Sequence, residues 1–159
     1  MSDGDVDGTA RVLAAADQLG LEYELTRHGP VRSLAEAAAA RGLTPHQVVK
    51  TMVVRVSADD HRFVLVPGDR EIAWPKLRAV VGVNRLSMPA ADAAYEVTGF
   101  VRGTITPLGS STPLPVIADA SVQGTFSIGG GAHGVALTVD AAALVEALDA
   151  TVADVTELA

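Results

Sequence analysis

The order of apolar and polar residues predicts that helices and strands follow one another along the whole chain. Residues 9–19 place apolar side chains at helical spacing, and Gly20 is expected to end that helix. Residues 21–28 alternate apolar and polar side chains, which predicts a half-buried strand. Ser33 with Glu36 has the spacing of a capping box and starts an alanine-rich helix that ends near Gly42.

Residues 48–56, VVKTMVVRV, form the most strand-like segment. Thr44, Pro45 and Gln47 predict a short capped turn just before it. Its valines suit a pleated, buried surface, so the segment is predicted to be a core strand. The apolar run in residues 61–67 follows a polar turn, and an antiparallel hairpin is the expected pairing.

The second half of the sequence continues the mixture of helices and strands. Helices are predicted in residues 76–82 and 90–97, with a short strand in residues 83–88 between them. Residues 100–115 contain Gly and Pro and predict an irregular segment. Strands are expected at VIADA, TFSIG and VALTVD, and Asp140 is expected to cap a final helix. The tail from Thr151 onward has no assigned type.

This order of elements predicts an α+β fold with a mixed, strongly twisted and partly barrel-like sheet surrounded by helices. Residues 1–8 are expected to be disordered and residues 9–159 to form one domain. The acidic first ten residues resemble neither a signal peptide nor a transit peptide, and no apolar stretch is long enough to span a bilayer. We therefore expect a cytoplasmic protein without a membrane partner.

Composition excludes several kinds of chemistry. The chain has no cysteine, and its four histidines lack the spacing of metal ligands, so we expect no metal and no cofactor. The net charge of −7 argues against DNA and against extended contact with RNA, because such contact needs clustered Lys and Arg. Any contact with RNA should therefore be local.

Lys50 is the first candidate for a functional residue. Ten of the twelve basic residues are Arg, yet the valine-rich strand carries one of the two lysines. An ammonium group in an apolar strand needs a partner or a wet cleft, because desolvation disfavours its charge. A lysine at a strand end, with its head in solvent, is the simpler alternative.

Two glycine-rich segments are the other candidates. The segment GTITPLG, residues 103–109, combines glycines that let a ligand approach the backbone with a proline that stiffens the turn. Its backbone amides could stabilise an oxyanion. The segment GGGAHG, residues 129–134, is interpreted either as a tight hairpin connection or as a group of free N–H donors beside His133.

Together these segments resemble the YbaK/EbsC family of aminoacyl-tRNA deacylases, which is related to the editing domain of bacterial prolyl-tRNA synthetases. The resemblance covers residues 21–156 and is carried by VVKTMVV, PGDREI, KLRAVVGVNRLSM, TGFVRGTITPLGS, LPVIADAS and SIGGGAHG. In the cysteinyl-tRNA(Pro) deacylases the glycine-rich hairpin commonly continues with two basic residues and GLD. Here that continuation of the hairpin contains Ala132, His133 and Ala136 instead. The resemblance therefore does not determine which amino acid is removed from the tRNA.

The resemblance implies hydrolysis of mischarged aminoacyl-tRNA in trans, with Cys-tRNA(Pro) or the ester of a related small amino acid as substrate. It implies the acceptor end of charged tRNA as partner, together with a synthetase such as prolyl-tRNA synthetase. Attack by water and attack by the substrate's own side chain both remain open. The implied catalytic residues are Lys50, Gly103 and Thr106, and the implied substrate-binding residues are Thr104, Ile105, Pro107, Gly109, Asp119, Gly130, Gly131, His133 and Gly134.

Two other functions remain open. A non-catalytic relative would bind an aminoacyl-tRNA or a synthetase without releasing the amino acid, because a fold does not determine a function. A small-molecule-binding module would bind a free nucleotide or amino acid and would not respond to the tRNA body.

Overall fold

The computed structural model describes residues 7–159, which form five α-helices, nine strands and one 3₁₀ turn. Of the eight residues predicted to be disordered, residues 1–6 lie outside the described range. Gly8 is held in place, because its N–H donates to the Gly131 carbonyl at 2.9 Å. The elements in chain order are α1 (Thr9–Gln18), β1 (Glu24–Arg27), α2 (Leu34–Ala40), the 3₁₀ turn (Pro45–Gln47), β2 (Val49–Ser57), β3 (Asp60–Pro67), β4 (Arg70–Ile72), α3 (Trp74–Val81), α4 (Ala91–Thr98), β5 (Val116–Asp119), β6 (Thr125–Gly129), β7 (Val135–Asp140), α5 (Ala141–Leu148), β8 (Thr151–Ala153) and β9 (Thr156–Leu158).

The strands form three sheets, and the sheet that carries β2 is mixed. Its order is β2-β3-β5-β8, in which β2 and β3 are antiparallel and the other two pairs are parallel. An antiparallel sheet has the order β1-β7-β6, and β4 pairs with β9. An isolated bridge between Val48 and Ser127 connects the first two sheets. The α+β class is confirmed, and the described sheets do not close into a barrel.

The apolar run of β3 is explained by burial on both of its faces. Phe63 and Leu65 point into one hydrophobic cluster, whereas Val64 and Val66 point into a second. A strand that is covered on both sides needs no polar alternation, which is why this segment is continuously apolar. Its neighbour β2 follows the same rule in part, with Val53 in the first cluster and Val54 in the second.

The predicted caps are present where the sequence indicated them. Ser33 Oγ accepts from Glu36 N–H at 3.1 Å, and Asp140 Oδ2 accepts from Ala143 N–H at 3.0 Å. Gly82 and Gly99 end α3 and α4 with positive φ angles of 82° and 76°. These local interactions fix the ends of helices independently of the sheet.

The predictions that depended on strand pairing were less accurate. The strand expected in residues 83–88 is absent, and Ser87 makes only an isolated bridge to Arg55. The first strand is shorter than predicted, and Leu25 in it is exposed. The untyped tail forms β8 and β9, three residues each, whose partners β5 and β4 lie far away in the sequence. Such short strands exist because of their partners, so periodicity does not reveal them.

Arg11 on α1 holds the irregular segment that follows α4. Its Nε donates to the Gly109 carbonyl at 3.1 Å, and its Nη2 donates to the Gly99 carbonyl at 3.0 Å. The guanidinium also lies over the Phe100 ring, 4.6 Å from the centroid. One side chain therefore fixes both ends of residues 99–109, which explains how this segment is ordered without being helix or strand.

Asp119 connects the end of β5 to the chain between β8 and β9. One carboxylate oxygen accepts from the Val155 N–H at 3.0 Å, and the other accepts from the Ser121 N–H at 3.0 Å and from the Ser121 hydroxyl. Burial alone would raise the pKa of Asp119, but the hydrogen bonds from Ser121 and Val155 outweigh it and hold the pKa below its usual value. The ionised carboxylate therefore stabilises the fold.

We expect Asp119→Asn to destabilise the protein at neutral pH by about 2 kcal/mol, because it weakens several hydrogen bonds to a buried charge. The wild-type protein should lose this contribution as pH falls through the usual carboxyl value of 3.8 toward the lower folded-state pKa, because the unfolded chain then binds the additional proton. Urea unfolding at neutral and acidic pH measures both effects. Asp59→Asn, at an exposed turn position, is the matched control. Unchanged stability of Asp119→Asn would contradict this structural role.

A cationic cavity along the edge of β2

A cavity of about 630 Å³ lies along β2, between the end of α2, the start of α4 and the segment that begins at Arg102. Three of the predicted site residues line it, namely Lys50, Gly103 and Ile105. Most of its surface is apolar. The remaining lining residues are Arg41, Val48, Val49, Thr51, Met52, Val53, Met88, Pro89, Ala90, Ala91, Ala94, Arg102 and Gly129.

The edge of β2 that faces the cavity carries peptide groups without a hydrogen-bond partner among residues 7–159. Arg55 exchanges two hydrogen bonds with Ser87 on the side away from β3, at 2.8 and 3.1 Å. Phe63, which lies opposite Val53, donates its N–H in the other direction, to Pro115. Because hydrogen-bonding direction alternates along an antiparallel strand, Val53 and Thr51 also point their N–H and C=O groups away from β3. The cavity is thus bordered by peptide donors and acceptors.

Lys50 is exposed and stands at the rim of the cavity. Its side chain lies on the same face of β2 as Met52 and Val54, and its Nζ donates to the Arg70 carbonyl at 3.0 Å. The ammonium group is therefore not desolvated, although the strand around it is apolar. Its position agrees with the simpler alternative, in which the lysine head lies in solvent. Two of its three protons remain available to a ligand.

The Gly103 to Pro107 segment presents only part of itself to the cavity. Gly103, with φ of +86°, and Ile105 line the cavity, whereas Thr104, Thr106 and Pro107 are buried beneath it. Thr104 uses both its N–H and its hydroxyl on the Val101 carbonyl, at 3.0 and 2.8 Å. In the part of the chain that the structure describes, the N–H groups of Gly103 and Ile105 have no hydrogen-bond acceptor. They are the amides of this segment that a ligand can use.

The glycine-rich hairpin faces the rest of the fold more than the cavity. The Gly130 N–H donates to Val135, and the carbonyls of Gly131 and Gly134 accept from Gly8 and His28. The interpretation as a hairpin connection is correct, and the alternative of free N–H donors is not supported at Gly130. Of residues 129–134, only Gly129 lines the cavity.

His133 is the member of the hairpin that reaches the candidate site. Its side chain is exposed, and its Cε1 lies 3.2 Å from where a Cβ on Gly103 would stand. The imidazole therefore lies beside the outer surface of the Gly103 segment, although it is not part of the cavity lining. This contact brings together two candidates that are separated by thirty positions in the sequence.

Two further predicted site residues lie elsewhere. Gly109 packs against the backbone of α1, where a Cβ would lie 2.7 Å from the Arg11 carbonyl oxygen. Asp119 uses both carboxylate oxygens within the protein and does not line the cavity. The glycine at 109 and the carboxylate at 119 therefore have structural roles that their sequence context does not reveal.

Arg41 and Arg102 also line the cavity, although no sequence motif selects them. Arg41 directly follows α2, and Arg102 directly precedes the predicted Gly103 segment. Together with Lys50 they supply three positive charges, and no Asp or Glu of residues 7–159 is among the lining residues. An acidic chain therefore has a locally cationic cavity, which favours an anionic ligand.

Other kinds of site are not visible between residues 7 and 159. No group of three His, Asp or Glu side chains in this range could hold a metal ion. No helix in the same range is long and apolar enough to cross a membrane.

Comparison with known proteins identifies the family. The model of the aminoacyl-tRNA editing domain matches residues 28–147, which is more than half of the chain. The chain belongs to the aminoacyl-tRNA editing domain family. This match confirms the resemblance that was inferred from the Lys50 strand and the Gly103 to Pro107 segment.

The chain is similar in sequence to part of several prolyl-tRNA synthetases. It is 32% identical over 111 residues to the proline–tRNA ligase of Thermosipho melanesiensis, covering 69% of this chain and 19% of the ligase. It is 29% identical over 122 residues to the ligase of Bacillus licheniformis, covering 75% of this chain and 21% of the ligase. The chain thus spans about a fifth of the length of these curated relatives.

Solved structures resemble the family member over almost its whole length. A candidate trans-editing enzyme for prolyl tRNA synthetase superimposes with a TM-score of 0.84 at 27% identity, covering 99% of both chains. A hypothetical protein superimposes with a TM-score of 0.83 at 29% identity, covering 92% of this chain and 99% of the other. These matches agree with the α+β fold described above.

Proposed function

We propose that the protein is a hydrolase that removes the amino acid from mischarged aminoacyl-tRNA in trans, in the cytoplasm. The observation that carries this proposal is that Lys50, Gly103 and Ile105 line one cationic cavity, and that the N–H groups of Gly103 and Ile105 have no acceptor within residues 7–159. Membership of the aminoacyl-tRNA editing domain family supports the same reaction. The substrate is the ester that joins an amino acid to the terminal ribose of tRNA.

The cavity has groups for both ends of such an ester. Lys50 and Arg102 at its rim would attract the phosphates of the acceptor end, whereas the free edge of β2 offers peptide carbonyls to the α-ammonium group of the amino acid. Ala90, Ala91 and Ala94 leave room for an acyl side chain. A volume of about 630 Å³ is ordinary for a small-molecule site and suits a small amino acid together with a ribose.

Hydrolysis in this cavity depends on positioning and on stabilisation of the oxyanion. Water, or the side chain of the substrate, attacks the ester carbonyl, and the negative charge develops on the carbonyl oxygen. The N–H groups of Gly103 and Ile105, with Lys50 nearby, are the donors available to that oxygen. Collapse of the tetrahedral intermediate breaks the bond to the ribose oxygen, which takes up the proton lost by the attacking group. Attack by water releases the free amino acid, whereas attack by a side-chain thiol releases a cyclic thioester that water then hydrolyses.

The residue types that line the cavity indicate which group attacks the ester. Its lining, drawn from the described residues, contains no carboxylate, histidine, serine or cysteine, and the Thr51 hydroxyl is buried. A covalent intermediate on the protein is therefore disfavoured. Water or a nucleophilic side chain on the substrate, such as the thiol of a cysteinyl ester, is left to attack.

We propose Cys-tRNA(Pro), or tRNA(Pro) charged with a related small amino acid, as the substrate. A synthetase separates a smaller analogue by only about 1–3 kcal/mol per methylene, so a second site is needed to hydrolyse the error. The likeness to proline–tRNA ligases and to a candidate trans-editing enzyme supports this choice and suggests prolyl-tRNA synthetase as a partner. His133, beside Gly103, is proposed to influence which amino acid is accepted.

Lys50→Ala should fold normally and lose most deacylase activity on a panel of charged tRNAs. The side chain is exposed, so its removal should change stability by no more than about 0.5 kcal/mol, whereas the rim would lose the cation that binds the ester or phosphate. Lys50→Arg should also be impaired, because the longer planar guanidinium occupies different space. Release of amino acid and thermal unfolding are measured on the same preparations.

Lys76→Ala is the matched control for these variants. Lys76 is the other lysine of the chain, and it pairs with Asp154 at 3.0 Å outside the cavity. This variant should keep wild-type activity. If Lys50→Ala hydrolyses the best substrate at the wild-type rate, Lys50 has no catalytic role. If wild-type protein binds charged tRNA without releasing amino acid from any member of the panel, the protein is a binding protein.

Gly103→Ala should lower turnover at least about tenfold, which corresponds to about 1.4 kcal/mol of barrier height. A methyl group there would lie where the substrate approaches the amide, 3.2 Å from His133 Cε1, and the positive φ adds strain. The loss of stability should stay within about 1–2 kcal/mol. His133→Ala should instead change the relative rates on two charged tRNAs more than the rate on the best one.

Gly82→Ala controls for the backbone strain. Gly82 has nearly the same φ angle, +82°, in open space at the end of α3, and it does not line the cavity. This variant should lose similar stability and retain turnover. The roles assigned to Gly103 in turnover and to His133 in selectivity would be reversed if Gly103→Ala altered only the selectivity while His133→Ala abolished turnover on every substrate.

A further inference from the structure

Arg41 is a half-buried arginine at the inner side of the cavity. It follows the last turn of α2, and its Nη1 donates to the hydroxyl of Ser127 at 3.0 Å. Ser127 is fully buried on β6 beside the bridge to Val48. This hydrogen bond directs the guanidinium toward the place where the two larger sheets meet.

The guanidinium of Arg41 lacks the partners that a buried cation normally has. Its Nε is inaccessible to solvent and has no hydrogen-bond acceptor within residues 7–159. No carboxylate in that range lies within 4.0 Å to form an ion pair with it. Burial lowers the pKa of Arg41 from its usual value. A partly buried, unpaired cation destabilises the free protein, and a bound anion would offset that cost.

A purely structural role does not require an arginine at this position. A neutral amide could donate to the Ser127 hydroxyl and connect α2 to β6 equally well, without the cost of a buried charge. The other two cations of the cavity, Lys50 and Arg102, are exposed at its rim and remain hydrated. Arg41 is therefore the cation best placed to contact a group that has entered the cavity.

We propose that Arg41 binds an anionic oxygen of the substrate inside the cavity. The planar guanidinium has five N–H donors, of which one is bonded within the described protein, and its geometry matches the two oxygens of a phosphate or a carboxylate. The phosphate adjoining the terminal ribose and the carboxylate of an acidic acyl side chain are the two sources of such an oxygen. This inference rests on the proposed function for its choice of substrate.

The first experiment measures binding directly and needs no catalysis. Calorimetric titration of wild-type protein and Arg41→Gln with adenosine 5′-monophosphate and with adenosine isolates the phosphate. If the phosphate is the ligand, wild type should bind the monophosphate at least about tenfold more tightly than adenosine, and Arg41→Gln should remove most of that difference, leaving only the contribution of the rim cations. Arg41→Lys should recover only part of it, because an ammonium group cannot make the bidentate contact.

A second experiment distinguishes the carboxylate. Aspartyl and asparaginyl esters of adenosine differ in one charged group, and kcat/KM for their hydrolysis is measured with both proteins. If the carboxylate is the ligand, wild type should prefer the aspartyl ester at least about tenfold and Arg41→Gln should lose that preference. The proposal is overturned if Arg41→Gln alters neither the phosphate difference nor the aspartyl preference.

Two control variants separate ligand binding from packing. Ser127→Ala removes the internal hydrogen bond of Arg41 and keeps its charge, so anion discrimination should survive, whereas a structural role would make this variant resemble Arg41→Gln. Arg85→Gln removes an exposed charge that does not line the cavity and should change nothing. Wild-type protein that discriminates phosphate through Arg41 but hydrolyses no ester would support this inference and contradict the proposed function.

Discussion

The free edge of β2 is the constraint on which the candidate site depends. A strand edge carries N–H and C=O groups that must be paired, hydrated or covered. Here Val48 bridges to Ser127 at one end and Arg55 bridges to Ser87 at the other, so the peptide groups at Thr51 and Val53 between them have no partner in the described part of the chain. The cavity fills that interval. A ligand that pairs with this edge would complete hydrogen bonding that the fold leaves unfinished.

The second feature of the site is its positive charge, which is found both at the rim of the cavity and inside it. Lys50 and Arg102 are exposed at the rim, and Arg41 is half-buried inside, while no acidic side chain of the described residues lines the cavity. An acceptor end carries negative charge, and an overall acidic chain repels it except at such a local site. The arrangement favours a short contact with the end of a tRNA over binding along its body. Under the proposed function, the rim cations attract the acceptor end and Arg41 contacts a group that has entered the cavity.

Local chemistry made much of the fold predictable, and long-range pairing limited the rest. The caps at Ser33 and Asp140 and the hairpin after β2 follow from adjacent residues. The family resemblance selected Lys50 and Gly103 as candidates, yet it could not show that the Thr104 amide is used within its own turn. The contact of Arg41 could not be predicted from the sequence, because its partner, Ser127, lies 86 positions away. Asp119 and Gly109 likewise have roles that only tertiary contacts reveal.

The central claim is that the aminoacyl ester binds in the cavity between β2 and the Gly103 segment. A crystal structure with an adenosine analogue that carries its amino acid in a hydrolysis-resistant amide linkage tests this most directly. We expect the acyl group to lie against the free edge of β2 and the carbonyl oxygen to lie within hydrogen-bonding distance of the Gly103 or Ile105 N–H. An analogue bound outside this cavity, with Lys50 and Gly103 untouched, would contradict it.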